Sequence, residues 1–242
     1  MNLPYWRDAI DVRGLVVETT ALARRVTGEL LGSAVLSAIV IGSGIAAQQL
    51  SPSDVGLELL ENALVTGAGL YVLILIFGPL SGAHFNPVVT LVSAVSGVLR
   101  WRELAPYALA QVVGCTLGAL GANVMFSLPV VSISTHHRAS GPHVFAEVVA
   151  TAGLVLLIHA LLRNGQRAHL PAAVGAYITA AYFFTSSTSF ANPAIAVGRM
   201  FSNTFAGIAP ASVPAFALAE VAGGLLGLAV GTLLFPTTQE IP

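Results

Sequence analysis

Two asparagine–proline pairs are the residues of this chain best placed to do chemistry: Asn86-Pro87-Val88 and Asn192-Pro193-Ala194. Proline suits the first turn of a helix, where its missing N–H has no partner to lose. Asparagine immediately before it is a good N-cap. Each pair therefore predicts the start of a short helix, over 86–97 and 192–202, about half a bilayer long at roughly 1.5 Å per residue. The segments leading in, SGAHF before Asn86 and TSSTSF before Asn192, cannot pair all their backbone groups internally. Lined up along a passage, their carbonyls form a ladder of acceptors. The two helix starts present the positive ends of their dipoles, and the Asn86 and Asn192 amides add two donors. That set suits a neutral, hydrogen-bonding solute. It opposes cations, including a proton moving along a chain of waters.

Non-helical backbone of this kind is tolerated at membrane depth only where it is buried in protein or lines a wet cavity. The rest of the chain has the composition of a membrane protein. Apolar residues make up 55% of the 242 residues and charged residues 9%, against roughly 25% charged in a soluble domain. Six stretches reach the about 20 apolar residues a spanning helix needs: roughly 26–50, 58–80, 103–126, 142–163, 169–187 and 211–235. They are dense in Gly and Ala, which let helix backbones approach closely in lipid.

The chain also repeats itself. GELLGSAVL around Glu29 matches FAEVVATAGLVL around Glu147, and LAQVVGCTLGAL around Gln111 matches LAEVAGGLLGLAV around Glu220. Three spans per half force the second copy to enter the membrane the opposite way, so the short helices enter from opposite faces and meet near the midplane. The expected fold is an all-α integral membrane protein of six transmembrane helices and two re-entrant half-helices, related as an inverted repeat. Its parts are a cytoplasmic N-terminal segment (1–25), a first repeat (26–126), an outer loop (127–142), a second repeat (143–235) and a C-terminal tail (236–242).

Arg7, Arg13, Arg24, Arg25, Arg100, Arg102, Arg163 and Arg167 all fall on one side of this topology, and only Arg138 and Arg199 on the other. By the excess of positive charge in cytoplasmic loops, both termini are expected to be cytoplasmic. The N-terminus has no apolar core followed by a small-residue cleavage site, and reads as a lead-in rather than a cleaved signal.

SGAHFNPVVT and FANPAIAVGR resemble the paired Asn-Pro-Ala loops of the aquaporin and aquaglyceroporin (major intrinsic protein) family, over about Val26 to Phe235. The acids Glu29 and Glu147 and the histidine His84 also match that family's pattern. The resemblance implies an hourglass fold with one pore per subunit, a homotetramer in the cell (inner) membrane, and small neutral solutes as partners. Glu29 and Glu147 are costly in lipid unless paired, and are expected to accept backbone N–H bonds from the two loops. His84 is expected to pack or hydrogen-bond near the inner vestibule.

Two departures from the family bear on the solute. Val88 replaces the first motif's Ala, a change of two methyl carbons. The family's Arg directly after the second motif is Ile195 here, with the next arginine, Arg199, one helical turn on. Arg199 either reaches the outer mouth or fills a structural role at the helix end. By the family's spacing, the outer constriction takes Thr66 from span two and Ser189 from the second loop. The span-five member is Ala180 counting back from Asn192, or Tyr182 counting forward from Pro171 and Gly175. A filter of Thr66, Ala180, Ser189 and Ile195 lacks both a large aromatic and a fixed cation, and is expected to be wide and partly apolar. Arginine-free filters with Thr at this place resemble bacterial members linked to arsenic resistance. This points to neutral arsenite or methylated arsenic acids, with glycerol as the generic alternative.

No nucleophile–base pair, phosphate loop or metal-ligand spacing is present, so no enzyme, cofactor or metal is expected. A net charge of −1 gives no field for nucleic acid. Cys115, the single cysteine, reads as a packing residue, and His136, His137 and His143 as a solvated loop. The rival readings are a water-selective pore, a proton-coupled secondary transporter using Glu29 and Glu147, and a structural protein that barely conducts.

Overall fold

In lipid a backbone N–H has no water to bond, so an apolar segment satisfies itself by coiling into a helix. The computed structural model describes residues 14–236, with residues 14–20 described by backbone alone. Arg7, Arg13 and tail residues 237–242 lie outside the described residues. Eight α-helices follow in order: α1 (Gly14–Leu50), α2 (Val55–Ser81), α3 (Pro87–Val95), α4 (Trp101–Met125), α5 (Gly141–Arg163), α6 (Leu170–Phe184), α7 (Pro193–Arg199) and α8 (Val213–Leu234). One-turn 3-10 helices precede α6 and α8. Five of the eight are long and apolar enough to cross a bilayer.

The fifth expected span is shorter than its sequence reading. Helix α6 has 15 residues, because Thr185 turns to an extended backbone and the chain there begins the second loop. The half-helices are also shorter than expected, at 9 and 7 residues. The first stops before Gly97, whose φ of +73° turns the chain back. The second stops where Arg199 and Met200 turn into the outer segment.

Three close crossings hold the helices together, and each uses glycine because carbonyl oxygens occupy the space of a side chain. On α4, a Cβ at Gly114 or Gly118 would collide with the Leu30 or Ala34 carbonyl oxygen of α1. On α8, Gly223 and Gly227 stand in the same way against the Val148 and Ala152 carbonyls of α5. Gly67 of α2 and Gly175 of α6 face each other's carbonyls. The first two crossings have the same register, one and five residues after Glu29 or Glu147, as an inverted repeat requires. Apolar side chains such as Leu64, Ile76, Phe145 and Leu233 point outward, the surface a bilayer covers. Gly118→Leu is expected to leave no monodisperse protein in detergent, because the Ala34 carbonyl cannot move without breaking α1. Size-exclusion chromatography checks it, and a wild-type profile would contradict this packing.

Candidate functional site

The two short helices meet end to end in the protein interior. Asn86 caps α3 with its side-chain oxygen, accepting the Val88 N–H at 2.9 Å. Asn192 caps α7 in the same way, accepting the Ala194 and Ile195 N–H groups at 3.0 and 3.3 Å. The remaining amide groups cross over. Asn86 Nδ2 donates to the Ala191 carbonyl at 2.6 Å, and Asn192 Nδ2 donates to the Phe85 carbonyl at 2.8 Å. Each asparagine thus holds the residue just before the other. Because an amide nitrogen carries two hydrogens, each keeps one donor beyond this clamp.

The loops that lead into the helices share an unusual backbone. Positive φ occurs at Gly82, Ala83 and Phe85 before Asn86, and at Thr188, Ser189 and Ala191 before Asn192. These are the fourth, third and first positions before each asparagine. A left-handed conformation costs a non-glycine residue roughly 1–2 kcal/mol, so five such residues need outside support. Two buried acids provide it. Glu29 accepts from the His84 and Phe85 N–H groups at 3.0 and 2.7 Å, from Ser81 Oγ at 2.6 Å and from Gln111 Nε2 at 2.8 Å. Glu147 accepts from the equivalent N–H groups of Phe190 and Ala191 at 2.9 and 2.7 Å. With their N–H groups turned onto acids, the loop residues leave carbonyl groups free to face elsewhere.

Further residues brace the first loop. His84 hydrogen-bonds Thr90 Oγ1 through Nδ1 at 3.2 Å and lies beside the Tyr107 ring. Tyr107 donates to the Ser81 carbonyl at 3.0 Å and accepts from Arg25 Nε, whose other end pairs with Glu103. Apart from His84, nothing in the sequence singled out this chain of contacts. Gln111 and Glu220 were visible as matched positions in the repeat, yet gained no role there. In the structure Gln111 holds Glu29, and Glu220 accepts the Asn192 N–H at 3.0 Å.

Of the expected constriction residues, Thr66, Tyr182, Ser189 and Ile195 are buried. Thr66 Oγ1 and the Tyr182 hydroxyl lie 3.3 Å apart. The expectation for Ala180 is corrected. It is exposed on the face of α6 that carries Ala172, Ala176 and Phe184, whereas Tyr182 shares the inward face with Val174, Ile178 and Ala181. The physical reason is the short helix: α6 ends at Phe184, and Tyr182, two positions after Ala180, is the residue that turns inward to Thr66. Ser189 Oγ is buried with no hydrogen-bond partner. Ile195 sits among Leu36, Val40, Phe85 and Cys115.

Arg199 does not reach out into solvent. It is 2% exposed, its guanidinium lies 3.5 Å over the Phe190 ring and its Nε donates to the Ala206 carbonyl. It fills the helix end and also forms part of the wall of a cleft of about 340 Å³. Gln48, Asn62, His136, Arg138 and Thr188 line the same cleft. Arg138 is tied to the Phe205 and Gly207 carbonyls at 2.9 and 2.8 Å. Burial first, and the neighbouring Arg138 second, hold the His136 imidazole below its ordinary range, so it is uncharged at neutral pH. The described residues bring no three metal-ligating side chains together.

Comparison with known proteins places this geometry. The family described as Major intrinsic protein matches residues 16–206, and the chain belongs to that family of membrane channels, which are not enzymes. Aquaglyceroporin AqpS of Rhizobium meliloti (strain 1021) is 49% identical over 91% of this chain and 94% of its own length. A glycerol uptake facilitator protein of Streptococcus pneumoniae is 29% identical over 86% of this chain and 96% of its own, and Aquaporin Z of Photorhabdus laumondii 27% identical over 90% and 100%. The X-ray structure of the aquaglyceroporin from Plasmodium falciparum shares the fold, with a TM-score of 0.67, 20% identity and coverage of 86% of this chain and 94% of that one.

Proposed function

We propose that this member of the family is a passive, aquaglyceroporin-type pore. It passes glycerol and neutral arsenite or methylated arsenic acids, as well as water. The observation that carries this reading is Ile195 where the family places arginine, with the Thr66 and Tyr182 hydroxyls 3.3 Å apart and Ser189 completing the set expected at the constriction. Three hydroxyls and one branched alkyl group make an amphipathic wall. A compact polyol or metalloid hydroxide exchanges its water for the hydroxyls while its apolar side meets the isoleucine, which lowers the desolvation cost of entry. Tyr182 makes the wall more aromatic than a set containing Ala180, and the Thr66 contact holds its ring to one side. The unpartnered Ser189 Oγ supports the reading, since a passing hydroxyl can satisfy it. The high identity to a relative named as an aquaglyceroporin points the same way.

In this proposal Asn86, Pro87, Val88, Asn192, Pro193 and Ala194 form the midplane of the pore, Glu29, Glu147 and His84 support the loops, and Arg199 shapes the outer mouth. The halves 26–126 and 143–235 act as the two repeats. The channel works as a homotetramer in the inner membrane with cytoplasmic termini.

Stopped-flow light scattering on proteoliposomes tests the solute class. Water, glycerol and arsenite should all cross faster than through protein-free vesicles. Acceleration of water alone would make this a water-selective pore and overturn the proposal.

A further inference from the structure

The second loop rests on two carboxyl groups where the first rests on one. Gln111 and Glu220 occupy equivalent places, each three residues before the first glycine of its crossing and seven before the second. In the first half the Gln111 amide donates an N–H to Glu29 at 2.8 Å, and Glu29 is surrounded by donors. In the second half Glu147 and Glu220 hold the adjacent N–H groups of Ala191 and Asn192, at 2.7 and 3.0 Å, which brings the two carboxyl groups side by side. Both side chains are fully buried. Glu220 Oε1 takes the Asn192 N–H at 3.0 Å, while Glu220 Oε2 has no N–H or O–H donor in reach.

Two carboxylates cannot stand in contact in such an interior with nothing between them. Among the described residues no arginine hydrogen-bonds either carboxyl, and Arg199 acts on Glu220 only at a distance. Arg138 and Arg199 direct the N–H groups that form hydrogen bonds to the Phe205, Ala206 and Gly207 carbonyls, not to the acids. The nearest tyrosine hydroxyls, Tyr177 and Tyr182, are turned to the Ala150 carbonyl and to Thr66. The first half also has Thr90, whose hydroxyl joins Gln111 at 2.9 Å; its counterpart four residues after Asn192 is Ala196, which offers no hydroxyl. The missing element is a hydrogen between Glu220 and Glu147.

We propose that Glu220 is a neutral carboxylic acid whose O–H donates to Glu147, and that this bond positions the second Asn-Pro loop as the Gln111 amide positions the first. Glu220 then does two things at once. It accepts the backbone N–H of Asn192 on one oxygen, and from the other it donates to the acid that holds Phe190 and Ala191. Three successive N–H groups, those of residues 190 to 192, are fixed by one proton-sharing pair. An ionised glutamate could accept but not donate. A glutamine could do both.

That difference sets the test on the reconstituted full chain. Infrared spectra of the wild type at neutral pH should show the carbonyl stretch of a protonated carboxyl, and the band should vanish in Glu220→Gln. Glu220→Gln should conduct water and glycerol as the wild type does. Glu220→Met, similar in size but without a donor, should lose several-fold in flux and expose the Phe190 and Ala191 amides to faster hydrogen exchange. Absence of the band in the wild type would overturn the proposal, as would a folded Glu220→Gln that loses flux together with Glu220→Met. The glycerol readout rests on the solute reading above, whereas the infrared band does not, so failure of one is distinguishable from failure of the other.

Discussion

Replacing Glu29 with alanine should abolish both flux and most of the folded protein. The carboxylate accepts from the Ser81 hydroxyl at 2.6 Å, the His84 and Phe85 N–H groups at 3.0 and 2.7 Å, and the Gln111 amide at 2.8 Å. Alanine takes the acceptor from all four donors, which are buried or half-buried, at about 1–3 kcal/mol each. The sum, on the order of 4–12 kcal/mol, rivals the roughly 5–15 kcal/mol that keeps a typical domain folded. The loop loses its reason to hold Ala83 and Phe85 at a positive φ, and the Phe85 carbonyl no longer meets Asn192. Size-exclusion chromatography in detergent and water flux in liposomes check this. A Glu29→Ala protein as stable and as conductive as the wild type would remove the loop support described here.

Ile195→Arg should cut glycerol and arsenite permeability by at least about tenfold, equivalent to roughly 1.4 kcal/mol in the barrier, while water still passes. Ile195 is 4% exposed, with Leu36, Val40 and Phe85 around it. A guanidinium left among those side chains would be an unpaired buried charge, at a cost of several kcal/mol. Its favourable course is toward the hydroxyls of Thr66, Tyr182 and Ser189, where it both narrows the opening and adds a fixed cation. Ile195→Met is the control, uncharged and of similar volume, and should keep wild-type glycerol flux. If the arginine variant is folded and passes glycerol as fast as the wild type, Ile195 does not belong to the constriction.

The fold was legible because membrane helices announce themselves by length and composition, and because the repeat forces their order. The Asn-Pro pairs were equally plain, since capping chemistry is local in sequence. The constriction was harder. Counting back from Asn192 gave Ala180 and counting forward from Pro171 and Gly175 gave Tyr182, and only the inward face of α6 favours Tyr182. Arg199 could be assigned only once its partners were known: the carbonyl of Ala206 and the ring of Phe190 are close in space but not patterned in sequence. Glu220 shows the opposite case. Its match to Gln111 was readable in the repeat, but a carboxyl facing a carboxyl cannot be seen until α5 and α8 cross.

Passive conduction through the joint of the two half-helices is tested most directly with labelled glycerol and proteoliposomes carrying an imposed proton gradient. Wild-type protein should bring internal glycerol quickly to the external concentration and no further, at the same rate with the gradient in either direction or absent. Accumulation above the external concentration, driven by the proton gradient, would contradict a channel and make the buried acids part of a transport cycle.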